Sequence, residues 1–122
     1  MVEVICDTNF LIHLANKRIR NLETFDLDIG NMKLLIPTVV EYELMELKKN
    51  LKKKIEIEKT LSYIKNLEKI SIPGKFADKE ILEYLKHNRT FVGTMDRELK
   101  NLIKKTGSSV ISFNNDYLVL ES

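Results

Sequence analysis

Four acids in this chain stand where side-chain chemistry could converge. Asp7 follows Val2-Glu3-Val4-Ile5-Cys6 directly, Asp96 comes two residues after Thr94, Asp78 follows the Pro73-Gly74 turn, and Glu43 lies about one helical turn beyond Pro37-Thr38. Asp is a favoured helix N-cap and the helix macrodipole favours a negative charge there, so each aspartate taken alone reads as a cap. Glu43 is harder to read that way, because it lies beside Leu44 and Leu47 at the edge of an apolar stripe. Asp78 poses the same problem, sharing a helical face with Ile81, Leu82 and Leu85. Burying a carboxylate is costly unless a cation or hydrogen bonds compensate. Glu41 and Glu46 are alternatives nearby, expected to face solvent with the lysines. Several carboxylates aimed at one cleft repel each other and raise their pKa values unless a divalent metal neutralises them.

Oxygen-only ligation suits hard cations, Mg²⁺ or Mn²⁺, and such ions commonly serve phosphate chemistry. A divalent ion there would polarise a phosphodiester, acidify a water and offset charge on the leaving oxygen. That chemistry needs no histidine, and only His13 and His87 are present, each on an expected helix and each read as a surface or packing residue. The single cysteine, Cys6, sits among apolar neighbours and is expected to be a small buried hydrophobe.

The elements that must position these acids alternate strand and helix, which implies a parallel sheet with helices packed on its faces. Val2 to Cys6 reads as a strand, and the helical spacing of Phe10, Leu11 and Leu14 turns the chain at Asp7-Thr8-Asn9. Lys33 to Ile36 reads as a second strand ending at Pro37, with Thr38 placed to cap a helix whose stripe is Val40, Leu44, Leu47 and Leu51. Ile55, Leu61, Ile64 and Leu67 continue as another helical segment. Ile70 to Ile72 is a short extended piece closed by Pro73-Gly74, and Ala77 to Lys86 is helical. Phe91 to Thr94 is a strand, Asp96 opens a helix carrying Leu99, Leu102 and Ile103, Gly107 stops it, and Val110 to Phe113 is a further strand. The tail from Asn114 onward carries no clear pattern. In open parallel sheets, ligand sites form where strand C-termini meet the helices that follow. Asp7, Asp78 and Asp96 fall at or near such places.

At 122 residues, with 43% apolar and 31% charged side chains, the chain is the size and composition of one globular domain, spanning 1–122. No apolar run approaches a membrane-spanning helix and no leader is evident, so a cytoplasmic protein without a membrane partner is expected. The net charge of +2 hides an asymmetry. With four of the 18 acids set aside in one site, the remainder carries 20 positive and 14 negative charges, a surface suited to a polyanion. The densest basic stretch is Lys48-Lys49-Asn50-Leu51-Lys52-Lys53-Lys54, with a second group at Lys100, Lys104 and Lys105. Either group alone also suits a solvated helix face.

Over nearly its whole length the chain resembles the PIN-domain nuclease family. Val4-Ile5-Cys6-Asp7-Thr8-Asn9 is similar to the family's first strand with its leading metal-binding Asp, and Pro37-Thr38-Val39-Val40-Glu41-Tyr42-Glu43-Leu44 to its second motif, which selects Glu43 over Glu41. Ala77-Asp78-Lys79-Glu80-Ile81-Leu82 is similar to the third, and Phe91-Val92-Gly93-Thr94-Met95-Asp96-Arg97-Glu98-Leu99 to the fourth and most specific. Met95 departs from the Asn often found there, which spares every carboxylate. The resemblance implies a Rossmann-like three-layer α/β/α sandwich with a central parallel sheet. It implies Mg²⁺- or Mn²⁺-dependent endoribonuclease activity leaving a 5′-phosphate and a 3′-hydroxyl. Asp7, Glu43, Asp78 and Asp96 would hold the metal and carry catalysis, with Asn9 and Thr94 orienting them or water. Lys48, Lys49, Lys52 and Lys53 are where phosphate-backbone contact with RNA is expected. Two branches of the family compete, VapC-type toxins paired with an antitoxin and nucleases of rRNA processing with ribosome-assembly partners. Thr-x-Asp-Arg-Glu-Leu and Pro-Thr-Val-Val stand slightly closer to the second. A homodimer is implied by the resemblance and by Leu61, Ile64 and Leu67 as an uncovered apolar stripe.

Rival readings fit less. A haloacid-dehalogenase-like phosphatase needs a second Asp two residues after the first, where this chain has Asn9. A receiver domain needs more acids near the first strand's end and a later strand-end Lys. A non-catalytic RNA-binding or scaffold PIN domain is the main alternative, distinguished by whether the intact acid set binds metal.

Overall fold

The computed structural model describes residues 1–121. Its centre is a six-stranded sheet formed by β1 (Val2–Cys6), β2 (Met32–Pro37), β3 (Glu68–Ile70), β4 (Phe91–Gly93), β5 (Ser109–Asn114) and β6 (Tyr117–Glu121). The strand order is β3-β2-β1-β4-β5-β6, parallel throughout except for β6, which runs antiparallel to β5. The helices are α1 (Thr8–Asn16), α2 (Leu22–Ile29), α3 (Thr38–Leu47), α4 (Lys54–Ile64), α5 (Ala77–Leu85) and α6 (Arg97–Lys105). α1, α3 and α4 pack on one another, and α5 packs on α6. The chain winds outward from β1 through β2 to β3, then crosses back over β1 to begin β4 on its other side. With right-handed crossovers this reversal places the two helix groups on opposite faces, giving the α/β/α sandwich. The reversal point lies between the C-terminal ends of β1 and β4, the crevice where open parallel sheets bind ligands.

The core runs through both faces of the central strands: Val4, Ile5, Ile36, Val92, Val110 and Ile111 from the sheet meet Phe10, Leu11, Leu44, Ile57, Ile81 and Ile103 from the helices, all buried. Fully buried parallel strands have no solvent face to keep polar, which is why these runs read as continuously apolar. Cys6 is a buried member of β1, and burial pushes its thiol pKa up, away from reactive thiolate.

Several expectations change in detail. α3 stops at Leu47, so Leu51 leaves the stripe and is 84% exposed. Thr38 does not cap α3. Its hydroxyl accepts the Ile72 N–H at 3.1 Å while the Ile72 carbonyl accepts the Val39 N–H at 3.0 Å, so the segment after β3 satisfies the helix start. Ile70 to Ile72 is correspondingly shorter as a strand, with only Ile70 inside β3. On α4 the inward face is Ile57, Thr60 and Ile64. Ile55 is exposed, whereas Ile64 is buried and Leu61 and Leu67 pack half-buried against the core, so part of the apolar stripe read as a dimer face is taken up within the chain. α2 and β6 have no counterpart among the elements expected from the sequence. α2 buries no residue fully, and β6 is joined to β5 by a two-residue turn in which Asn115 and Asp116 take φ of 49° and 65°.

Candidate active site

Asp7 ends the first βα unit. Its Oδ1 accepts the Thr8 N–H at 2.8 Å, capping α1, and its Oδ2 accepts the Thr94 hydroxyl at 3.0 Å. The Asp7 N–H donates to the Gly93 carbonyl at 2.9 Å, which fixes the end of β1 against the end of β4. Thr94 is wholly buried and serves both sides of the crevice: besides donating to Asp7, its Oγ1 accepts the Asp96 N–H at 3.2 Å. Asp96 caps α6 by accepting the Leu99 N–H at 3.0 Å on Oδ1. Glu43, on the inner side of α3, accepts the Thr8 hydroxyl at 2.6 Å and the Ala77 N–H at 2.8 Å, so one carboxylate joins α1, α3 and α5. Asp78 follows at the start of α5, its Oδ1 accepting the Lys79 N–H at 2.9 Å.

These acids, drawn from four separate elements, line one cleft of about 320 Å³, together with Asn9, Thr8 and Lys53. Desolvation raises the Asp7 pKa; hydrogen bonds from Thr8 and Thr94 oppose this, and the nearby Glu43 and Asp78 charges add to it. Of the two compensations open to Glu43 the structure shows hydrogen bonds, and the burial expected of Asp78 needs correction. Glu43 is compensated by two hydrogen bonds, without need of a cation for stability. Asp78 is exposed, as is Asp96, so neither carries a burial penalty.

Among the described residues no three acid, histidine or cysteine side chains stand close enough to form a ready-made metal cage. The donor chemistry nevertheless fits a hard divalent cation. All donors are carboxylate oxygens, Oδ2 of Asp78 and of Asp96 takes no hydrogen bond among the described residues, and Mg²⁺ typically uses one or two carboxylates and keeps waters. Each hydrogen-bonded oxygen of Asp7 and Glu43 also has a second lone pair.

The basic residues divide. Lys53 lines the carboxylate cleft, whereas Lys48 and Lys49 line a separate depression with Met45 and Leu51, and Lys49 pairs with Glu46 at 3.1 Å. Lys52 is exposed on the connection between α3 and α4. In the second group, Lys100 and Lys104 pair with Glu121 at 2.9 and 3.5 Å, which ties α6 to β6 and removes them from the set available to a polyanion. His13 packs on Phe113 with ring centroids 4.2 Å apart and bonds Asp116, and His87 is exposed.

Sequence reasoning missed Thr8 and the Ala77 N–H as the partners that hold Glu43. Thr8 stands beside Asp7, but its pairing with a residue 35 positions away is set by how α1 lies on α3, which no local pattern encodes.

Comparison with known proteins bears on the family and the fold. A family model described as a PIN like domain matches residues 4–115. Ribonuclease VapC4 of Methanocaldococcus jannaschii is 30% identical over 121 residues, covering 91% of this chain and 89% of that protein. The solved structure of the PIN domain endonuclease Utp24 superposes with a TM-score of 0.78 at 28% identity, covering 98% of this chain and 90% of that one. A domain of a functionally unknown protein from Methanocaldococcus jannaschii matches at a TM-score of 0.59 and 19% identity, over 93% of this chain and 92% of that one, and bears on the fold alone.

Proposed function

This chain belongs to the PIN-like domain family, and on that premise we propose that it is a Mg²⁺- or Mn²⁺-dependent endoribonuclease, its 122 residues forming one such domain. The observation that carries the reading is the convergence of Asp7, Glu43, Asp78 and Asp96 on one cleft at the reversal point of the sheet, with Lys53 beside them. The names of the relatives, a ribonuclease and an endonuclease, support the same chemistry.

In this reading a divalent cation held by Asp7, Glu43, Asp78 and Asp96 would supply positive charge to offset the carboxylates and the phosphodiester and would lower the pKa of a water. The protein's own part is positional. Thr94 holds Asp7 and the Asp96 backbone at a fixed spacing, and Thr8 holds Glu43, so these donors are set before substrate arrives. The Lys53 ammonium offers a phosphate a counter-charge at the rim, a contact that positions a strand without reading its sequence. Asn9, exposed at the cleft wall, is placed to hydrogen-bond water or a phosphate oxygen.

The test is cleavage of end-labelled RNA in Mn²⁺, Mg²⁺ or EDTA, with Asp96→Asn purified in parallel to expose any contaminating nuclease. Cuts leaving 5′-phosphate ends that disappear in EDTA and in the variant are expected. RNA binding without cleavage under every metal condition would replace the enzyme by a binding scaffold.

A further inference from the structure

A second cleft, of about 530 Å³, opens at the tip of the β5–β6 hairpin, lined by Arg18, Ile19, Arg20, Asp116 and Tyr117. Its chemistry is opposite to that of the carboxylate cleft. Two arginines and a tyrosine line it with one aspartate, whose carboxylate is already engaged, Asp116 Oδ1 lying 2.8 Å from His13 Nε2. The Arg20 guanidinium sits over the Tyr117 ring, 6.0 Å from its centroid.

The pocket is held together by backbone and side-chain bonds. The Arg20 N–H donates to the Asp116 carbonyl at 3.0 Å. The Asn21 side chain accepts the Leu118 N–H at 2.7 Å and donates to the Leu118 carbonyl at 2.9 Å. The loop bearing the arginines is thus fastened to the strand bearing the ring, and little ordering remains to be done when a ligand arrives.

Its position connects it to the carboxylates. β5 runs parallel to β4, and β4 to β1, so the hairpin tip lies at the same end of the sheet as Asp7 and Thr94. His13, which bonds Asp116, follows Asp7 by six positions along α1, on the order of 10 Å at the helical rise. A strand passing through the carboxylate cleft can therefore reach the hairpin within a few nucleotides.

Guanidinium forks recognise phosphate, and an aromatic face beside them accepts a base only when that base has left its helix. A metal or a cationic ligand would meet the two arginines and be repelled. Resting on the ribonuclease reading above, we propose that this pocket binds one nucleotide of the substrate strand. Arg18 and Arg20 take its phosphate, the Tyr117 ring takes its base, and the RNA is single-stranded where it crosses the hairpin tip.

Binding and cleavage test this separately. Fluorescence anisotropy with a labelled oligouridylate in EDTA reads the pocket without any reaction. Tyr117→Leu weakens binding roughly tenfold, the scale of one lost base stack, while Tyr117→Phe keeps the parental affinity. Arg18→Ala with Arg20→Ala weakens binding and flattens the salt dependence by about 0.7 in log–log slope, one single-strand phosphate. A 5-iodouridine RNA crosslinks to Tyr117 on irradiation, mapped by mass spectrometry. Parental affinity and salt slope in Tyr117→Leu and in the double arginine variant, with no Tyr117 adduct, would overturn the assignment even if Mn²⁺-dependent cutting were intact. Tyr117-dependent binding with no cutting in any metal would instead uphold the pocket and sink the proposed activity.

Discussion

Replacing Gly93 by alanine would strike the joint between the core and the carboxylate cleft. Gly93 closes β4 opposite Cys6, and its carbonyl accepts the Asp7 N–H at 2.9 Å. A Cβ at this position would stand 2.6, 2.7 and 2.8 Å from Cε2, Cδ2 and Cζ of Phe10. Ordinary carbon contacts need about 3.5–4.0 Å, so the ring would have to retreat by about 1 Å. It has nowhere to go: Phe10 is 1% exposed and stacks on Phe113 with centroids 4.9 Å apart. Overpacking of this kind costs about 1–3 kcal/mol. At about 4 °C per kcal/mol for a domain of this size, Tm should fall by about 4–12 °C. Phe10→Leu should also destabilise, by leaving space beside Gly93. Combined with Gly93→Ala, it should supply the room the methyl group needs, so the double variant loses less than the sum of the two singles by at least about 1 kcal/mol. Urea unfolding and thermal melts of the four proteins measure the cycle. A Gly93→Ala protein that melts with the parent, or strict additivity of the two changes, would refute the claim that the β4 end is glycine because a ring lies on it.

Asp7→Asn keeps an acceptor for the Thr8 N–H while removing a buried charge, so the metal-free protein should melt higher at neutral pH and no longer cleave RNA. Because the folded-state pKa of Asp7 is raised, its penalty is absent below the ordinary value of 3.8 and grows as pH rises through the folded value. Melts in EDTA should therefore show the gain at pH 7 and none at pH 3. Thr94→Val removes the hydroxyl that joins Asp7 to the Asp96 N–H in a fully buried position, and should cost about 1–3 kcal/mol in urea unfolding and slow cleavage, with Thr94→Ser restoring both. The Ser112 hydroxyl and then Lys100 hold the Glu121 pKa down to about 2 from 4.5. That stabilisation is present above pH 4.5 and lost as pH falls toward 2, so the Tm of Glu121→Gln should converge on the parental value over that interval in acid.

The parts of the fold that could be read in the sequence were those whose signal is local. β1, β2, β4 and β5 are buried on both faces, so their apolar runs stood out, and Asp7 and Asp96 marked the strand-to-helix turns because a cap is a single-residue feature. α2 could not be read: it leans on β6, with Phe25 and Ile29 only half-buried, and offers no stripe dense enough to separate from its charged neighbours. β6 was equally obscure, since Leu118 is buried while Leu120 on the same strand is exposed, and its pairing depends on a turn of two non-glycine residues. At the candidate site the residue types were legible but their energetics were not. Glu43 was recognised as an acid at the edge of an apolar stripe and is half-buried there, yet what compensates it, the Thr8 hydroxyl and the Ala77 N–H, comes from helices distant in sequence. Asp78 was placed on an apolar face by helical arithmetic, but it lies in the first turn of α5, where the chain enters from the surface and solvent reaches it. The Arg18, Arg20 and Tyr117 pocket left no trace in a linear reading, because its two halves meet only when the loop after α1 is bonded to the hairpin.

Whether the four carboxylates act as one cation site is tested most directly by Mn²⁺ titration followed through the electron paramagnetic resonance signal of the free ion. The parent should be compared with Asp7→Asn, Glu43→Gln, Asp78→Asn and Asp96→Asn. Saturable binding in the parent, weakened at least about tenfold by each substitution, is the predicted result. A parent that fails to remove Mn²⁺ from solution, or four variants that bind it as the parent does, would contradict it.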